Sequence, residues 1–167
     1  FVGASSAFAK LSAVDLGKEA VRDALARSGL PGSRVNHVVY GTVVSDTQAP
    51  NIAREVGLAV LPKNVPAVSV SRACASANQA ITGAAEMIEM GYADVVVAGG
   101  GESLSRIPIT ASDRLSRSIV RAAKGKTLSR KVAAFRGLRP RDLVPVTAAI
   151  AEPSTGETMG ASAERMA

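Results

Sequence analysis

The chain has 167 residues, 47% hydrophobic and 20% charged, which is enough apolar material for one domain-sized core. No apolar run reaches the roughly 18 residues of a membrane span. One Cys and one His leave no internal disulfide and no zinc site of the usual ligand count, so no metal is expected. The net charge of +6 is gathered in one stretch, Arg114 to Arg141, which contains no Asp or Glu; the remainder is mildly acidic. Phe1-Val2-Gly3-Ala4 shows no charged region ahead of a long apolar one, so no signal peptide is expected. With no initiator Met, the chain is expected to begin inside a longer protein. A lone thiol suits a reducing compartment, so the expected location is cytoplasmic, or mitochondrial in a eukaryote.

The first element is a helix from about Ser12 to Ser28. Ser12 and Asp15 form a Ser-x-x-Asp start signal. Leu16, Ala20, Val21, Ala24 and Leu25 share one face, and Gly29 and Pro31 end the helix. Val35 to Val44 reads as a strand. A short helix is expected from near Asn51, a good N-cap, to about Gly57. Val65 to Ser71 reads as a strand with Pro66 tolerated near its start. Ala75 to Met90 reads as a small-residue helix, expected to be buried. Val95-Val96-Val97-Ala98 is a short apolar strand, and Gly99-Gly100-Gly101 is read as a tight turn that lets backbone approach Cys74. It is not a dinucleotide fingerprint, because the further glycine spacing and the downstream acid are missing. The alternation implies an α/β fold with a mostly parallel sheet. From about Leu104 the chain becomes basic and then proline-bearing, which predicts a region of short helices and loops.

Cys74 falls where a buried strand hands over to a helix. Free N–H groups and the macrodipole at a helix start favour a thiolate over a thiol. Strand ends in α/β folds are also where ligands gather. Position alone leaves a second reading open, an inert buried Cys. His37, at the front of a predicted strand, is read as structural or exposed and not as the base for Cys74.

Ser71-Arg72-Ala73-Cys74-Ala75-Ser76 followed by Gln79-Ala80 resembles the acyl-enzyme cysteine motif of the thiolase family. Asp15-Leu16-Gly17 and Asn51-Ile52-Ala53-Arg54-Glu55 match family segments in order. Gly99-Gly100-Gly101-Glu102-Ser103-Leu104-Ser105 resembles Gly-Gly-x-Glu-x-Met-Ser, with Leu104 where Met is common. Met159-Gly160-Ala161-Ser162-Ala163-Glu164 resembles Met-Gly-x-Thr-Ala-Glu. Leu138 to Val146 and Pro153-Ser154-Thr155-Gly156 look most like the branch acting in fatty-acid β-oxidation within a multifunctional complex.

The resemblance implies a layered α-β-α half-thiolase over residues 1–103, lacking its first strand, and a partial loop domain over 104–167. It implies that Cys74 is the nucleophile toward 3-ketoacyl-CoA, that coenzyme A is a substrate, and that no cofactor is held permanently. Met159 is expected either to line the pantetheine channel or to fill core. The family's activating His, second Cys and Asn–His groups belong to a second half expected beyond Ala167, so the isolated chain is expected to be inactive. Expected partners are acyl-CoA and CoA, a homodimer or larger assembly, and a hydratase/dehydrogenase subunit. Rival readings are a biosynthetic acetyl-CoA C-acetyltransferase, a decarboxylating ketoacyl synthase, and a non-catalytic CoA-binding scaffold. The basic stretch is read as a solvated face, as attraction for CoA phosphates, or as a contact for an anionic membrane surface or acidic subunit. Nucleic acid is not expected, since aromatics are scarce and no nucleic-acid motif accompanies the charge.

Overall fold

The computed structural model describes residues 6–146 and 151–167, so the readings of Phe1 to Ala4 lie outside the described residues. The chain divides into two compact units, Phe1–Pro108 and Ile109–Ala167.

The first unit opens with α1, Ala13–Ser28. The Ser12 hydroxyl accepts from Asp15 N at 3.1 Å, and Asp15 Oδ2 accepts from Ser12 N at 3.0 Å. This reciprocal pair satisfies two N–H groups that the helix start would leave unpaired. At the other end Gly29 takes the left-handed conformation, φ 68°, that closes a helix most easily on glycine. Then follow β1 (His37–Gly41), α2 (Ile52–Val60), β2 (Ala67–Val70), α3 (Ser76–Glu89) and β3 (Val96–Gly100). The three strands form a parallel sheet in the order β2-β1-β3, with Val38 opposite both Ala67 and Val97.

The side-chain alternation of β1 builds two cores. Val38 and Tyr40 point toward α1 and α2, where they pack with Val21, Ile52, Ala53 and Val56. Val39 points the other way, onto Ala80 and Ala84 of α3. Gly17 permits the close seat of α1: a Cβ there would lie 2.7 Å from Val56 Cγ2 and 2.9 Å from the Tyr40 hydroxyl. Asn51 caps α2 by accepting from Arg54 N, and its Nδ2 donates to Ala67 O. Arg54 donates to the carbonyls of Val65 and Lys63, both at 2.8 Å, so α2 also holds the entry to β2.

Several boundaries differ from the sequence expectation. β1 is shorter than Val35 to Val44 because Val35 N closes a 3-10 turn onto Gly32 O, while the N–H groups of Val43 and Val44 leave the sheet for the Glu102 carboxylate. α2 runs past Gly57 to Val60; Gly57 lies inside the helix where it faces Val38. α3 is not buried all round. Ser76, Ala80 and Ala84 are its buried residues, whereas Ile81 and Ile88 are exposed. Gly99 and Gly100 do not form a tight turn. They continue β3, paired with Tyr40 and Gly41.

The second unit contains α4 (Asp113–Lys124), α5 (Leu128–Ala133), a 3-10 turn at Pro140–Leu143 and α6 (Met159–Met166). The Ser112 hydroxyl caps α4 and donates to Asp142 O at 2.6 Å. Asp142 is buried, and its carboxylate accepts from Arg139 N at 2.8 Å. No helix among the described residues is long and apolar enough to cross a membrane.

Candidate functional site

Cys74 sits at the carboxyl edge of the sheet, in the turn from β2 to α3. It lies just ahead of the helix cap, Ala75, and its side chain is exposed. The turn is drawn tight by three backbone links. Ala75 N donates to Arg72 O at 3.0 Å, Ser76 N donates to Ala73 O at 3.1 Å, and Arg72 forms a bridge with Cys74. The Ser76 hydroxyl, inside the bend, accepts from Arg72 N at 2.8 Å and donates to Ala73 O at 2.6 Å.

Closing this bend puts Ala73 at φ 44°, the one described non-glycine residue with positive φ. That conformation costs an L-residue on the order of 1–2 kcal/mol, which the surrounding hydrogen bonds offset. The result is a thiol held outward at a strand–helix junction.

A cavity of about 200 Å³ opens beside it, lined by Gly41, Thr42, Val43, Ala73, Cys74, Ser76, Ala77, Gly100, Gly101 and Glu102. Two glycines bring its walls together. A Cβ on Gly41 would lie 2.4 Å from the carbonyl carbon of Ser76. One on Gly100 would lie 2.6 Å from Gly41 O and 3.0 Å from Ala77 Cβ. The glycine run therefore does bring backbone toward Cys74, though as strand and not as turn.

Glu102 closes the cavity from the β3 side. Its Oε2 accepts from Val43 N at 2.7 Å, and its Oε1 accepts from the Thr42 hydroxyl at 3.1 Å and Val44 N at 3.2 Å. Thr42 N in turn donates to Val70 O at 3.1 Å, so residues 42–44 are tied to both neighbouring strands' ends. Beneath, Tyr40 is buried. Burial, and secondarily the Glu102 charge, raise its phenol above the usual range.

Sequence reasoning singled out Cys74 but missed the parts played by Ala73, Ser76, Thr42 and Glu102. The glycine–glutamate segment was the available signal for Glu102, since it follows a strand adjacent to the cysteine's own.

His37 opens β1, at the end of the strand opposite the cavity, with Nδ1 3.1 Å from Val38 O. Met159 begins α6 in the second unit and is 73% exposed. Within that unit Arg114, Arg117, Arg121 and Arg136 line a concavity of about 280 Å³ together with Ser118, Gly137 and Leu138. Among the described residues no cluster of three or more His, Cys, Asp or Glu is placed to hold a metal ion.

A parallel sheet that presents one free thiol at the carboxyl end of its strands, over a small glycine-walled cavity, defines an α/β protein whose candidate site lies where such folds gather ligands. The family model described as Thiolase, N-terminal domain matches residues 1–167. The chain is 46% identical over 168 residues to a 3-ketoacyl-CoA thiolase of Yersinia pestis (strain Pestoides F). The same figure holds for one of Yersinia pseudotuberculosis serotype O:1b. All of this chain is covered in both cases, and 38% of each relative. Among solved structures, the Acat5 thiolase from Ascaris suum in complex with coenzyme A matches at TM-score 0.75 and 30% identity, over 99% of this chain and 39% of that one. The Bacillus anthracis acetyl-CoA acetyltransferase matches at TM-score 0.63 and 33% identity, over 65% and 28%. The chain belongs to the thiolase family. It spans 38% of the length of the curated relatives it matches.

Proposed function

We propose that this chain supplies the acyl-accepting cysteine of a 3-ketoacyl-CoA thiolase. In the first step the Cys74 sulfur attacks the 3-keto carbonyl. The bond between C2 and C3 breaks, its electron pair stays with the departing acetyl-CoA carbanion, and that carbon takes a proton. In the second step the thiol of a second coenzyme A displaces the acyl group from Cys74, restoring the free thiol. Dividing one carbon–carbon cleavage into two thioester exchanges lowers each barrier.

The observation that carries this reading is the exposed Cys74 at the mouth of a cavity, presented by a strained Ala73 turn. Likeness to 3-ketoacyl-CoA thiolases at 46% identity supports the degradative direction over the biosynthetic one. The second thiolase half would contribute the base, and the isolated chain is therefore predicted to show no sustained thiolysis. Incubating the full-length protein, which would supply that base, with acetoacetyl-CoA and mapping the peptides of this chain by mass spectrometry should find one acetyl group, on Cys74. Cys74→Ser should carry none. An acetyl group elsewhere, or none on Cys74, overturns the reading.

The arginine concavity of the second unit is proposed to attract the phosphates of coenzyme A, for which guanidinium groups suit both steering and contact. Joint replacement of Arg114, Arg117, Arg121 and Arg136 by Gln should weaken CoA binding by about tenfold or more at low salt and less at high salt. An unchanged Kd excludes the role. A cytoplasmic, homodimeric protein able to join a larger oxidation complex completes the proposal; its free thiol suits a reducing compartment. Light scattering of the protein at micromolar concentration reads the dimer directly.

A further inference from the structure

Ser76 is the buried polar side chain of the cysteine turn, 3% exposed at the first position of α3. Its hydroxyl does not serve the helix it opens. It reaches back along the chain, where it donates to Ala73 O at 2.6 Å and accepts from Arg72 N at 2.8 Å. A buried hydroxyl is costly unless it is bonded, and both of these bonds grip the two residues that precede Cys74. The other side-chain link of the turn, from Arg72 to Gln79 Oε1, runs between side chains and leaves the backbone of residues 72 and 73 to Ser76.

Ala73 stands at the centre of that grip, at φ 44°. An L-residue loses population by roughly five- to thirtyfold in the left-handed region. One net hydrogen bond is worth roughly two- to twelvefold, and two together roughly five- to 150-fold. A single bond of middling strength therefore falls short of the penalty, whereas the pair covers it. With the hydroxyl removed, Ala73 relaxes toward the right-handed region, and Cys74, the next residue, turns with it.

We infer that Ser76 is a positioning residue for acyl transfer: its hydroxyl holds Ala73 in the left-handed conformation that sets the Cys74 sulfur outward at the cavity. It acts through the backbone of Ala73 and not on the reacting atoms. The inference rests on the reading of Cys74 as acyl acceptor and goes beyond it by naming what aims the thiol.

The test is a double-mutant cycle in the full-length protein. Ser76→Ala should lower kcat for thiolysis of acetoacetyl-CoA by about tenfold, the loss expected of a misplaced reacting atom, and leave KM for CoA unchanged. Adding Ala73→Gly to Ser76→Ala should bring kcat back to within about threefold of wild type, because glycine takes positive φ about as readily as negative. A serine that merely packs the start of α3 would give no such rescue, since glycine would add its own freedom to the damage. Ser76→Ala with wild-type kcat, or a double variant as slow as Ser76→Ala, overturns the inference.

Should Ser76→Ala fail to fold, Ala73→Asn and Ala73→Val decide. Ala73 is exposed, so neither side chain is crowded, and the two are of similar size. Asn tolerates the left-handed region and β-branched Val does not. Ala73→Asn should exceed Ala73→Val in kcat by about fivefold or more; equal values overturn the inference.

Iodoacetamide labelling of Cys74, followed on its own peptide in each variant, needs no acyl transfer. The sulfur bonds to the methylene carbon of the probe, iodide leaves, and the thiol proton goes to solvent. The labelling rate should fall in Ser76→Ala and recover in the double variant, as the thiol loses and regains its outward setting. A wild-type Cys74 that alkylates but takes no acetyl group sinks the proposed function alone, and the labelling cycle then decides whether Ser76 aims the thiol.

Discussion

At the scale of single residues, the cysteine turn depends on atoms that are absent as much as on those present. Gly41 has no room for a Cβ against the backbone of Ser76. Gly41→Ala must therefore push α3 off the sheet edge, at a cost of about 1–3 kcal/mol for forced overpacking. A lower Tm together with a changed alkylation rate of Cys74 is the expected result. Equal Tm values would mean that α3 seats less closely than described. Tyr40 gives a pH signature. Its folded-state phenol ionises above the ordinary value near 10 because burial, then the Glu102 charge, disfavour the phenolate. The stability contribution is thus complete below about pH 10, where unfolded tyrosine is still protonated, and is lost as pH rises through the folded value. Urea denaturation should show wild type losing stability above about pH 10 more steeply than Tyr40→Phe. Parallel curves would contradict this.

At the scale of elements, what the sequence discloses depends on how far apart the partners lie. The start of α1 was readable because Ser12 and Asp15 are three residues apart and satisfy each other. Ser12→Ala should cost about 1 kcal/mol in urea unfolding. A loss under a few tenths would mean that the cap is replaced by water. The end of β1 was not readable, because Val43 and Val44 leave the sheet for a carboxylate 58 to 59 positions away. Gly99 and Gly100 looked like a turn on propensity. Their partner strand, which lacks side-chain bulk at Gly41, holds them extended. In the candidate site the exposed thiol was legible as one residue with a local motif. The cavity was not, because its walls come from three separate strand ends.

At the scale of the molecule, charge and chemistry occupy different parts of the chain. The thiol lies in the unit whose acids and bases balance, and the arginine-lined concavity lies in the other, which carries the net positive charge. This separation predicts distinct salt responses. Coenzyme binding should weaken with salt through the second unit, while the Tm of the first should barely move. The three bonds to Glu102 also span 58 to 60 positions of chain, so the setting of Cys74 is completed only once Glu102 has been made. A ribosome adding about 5–20 residues per second makes Cys74 several seconds at most before it makes the glutamate that walls its cavity. The cavity wall therefore closes last: residues 42–44 and the cysteine turn are already made when Glu102 arrives to accept the three bonds that tie them together.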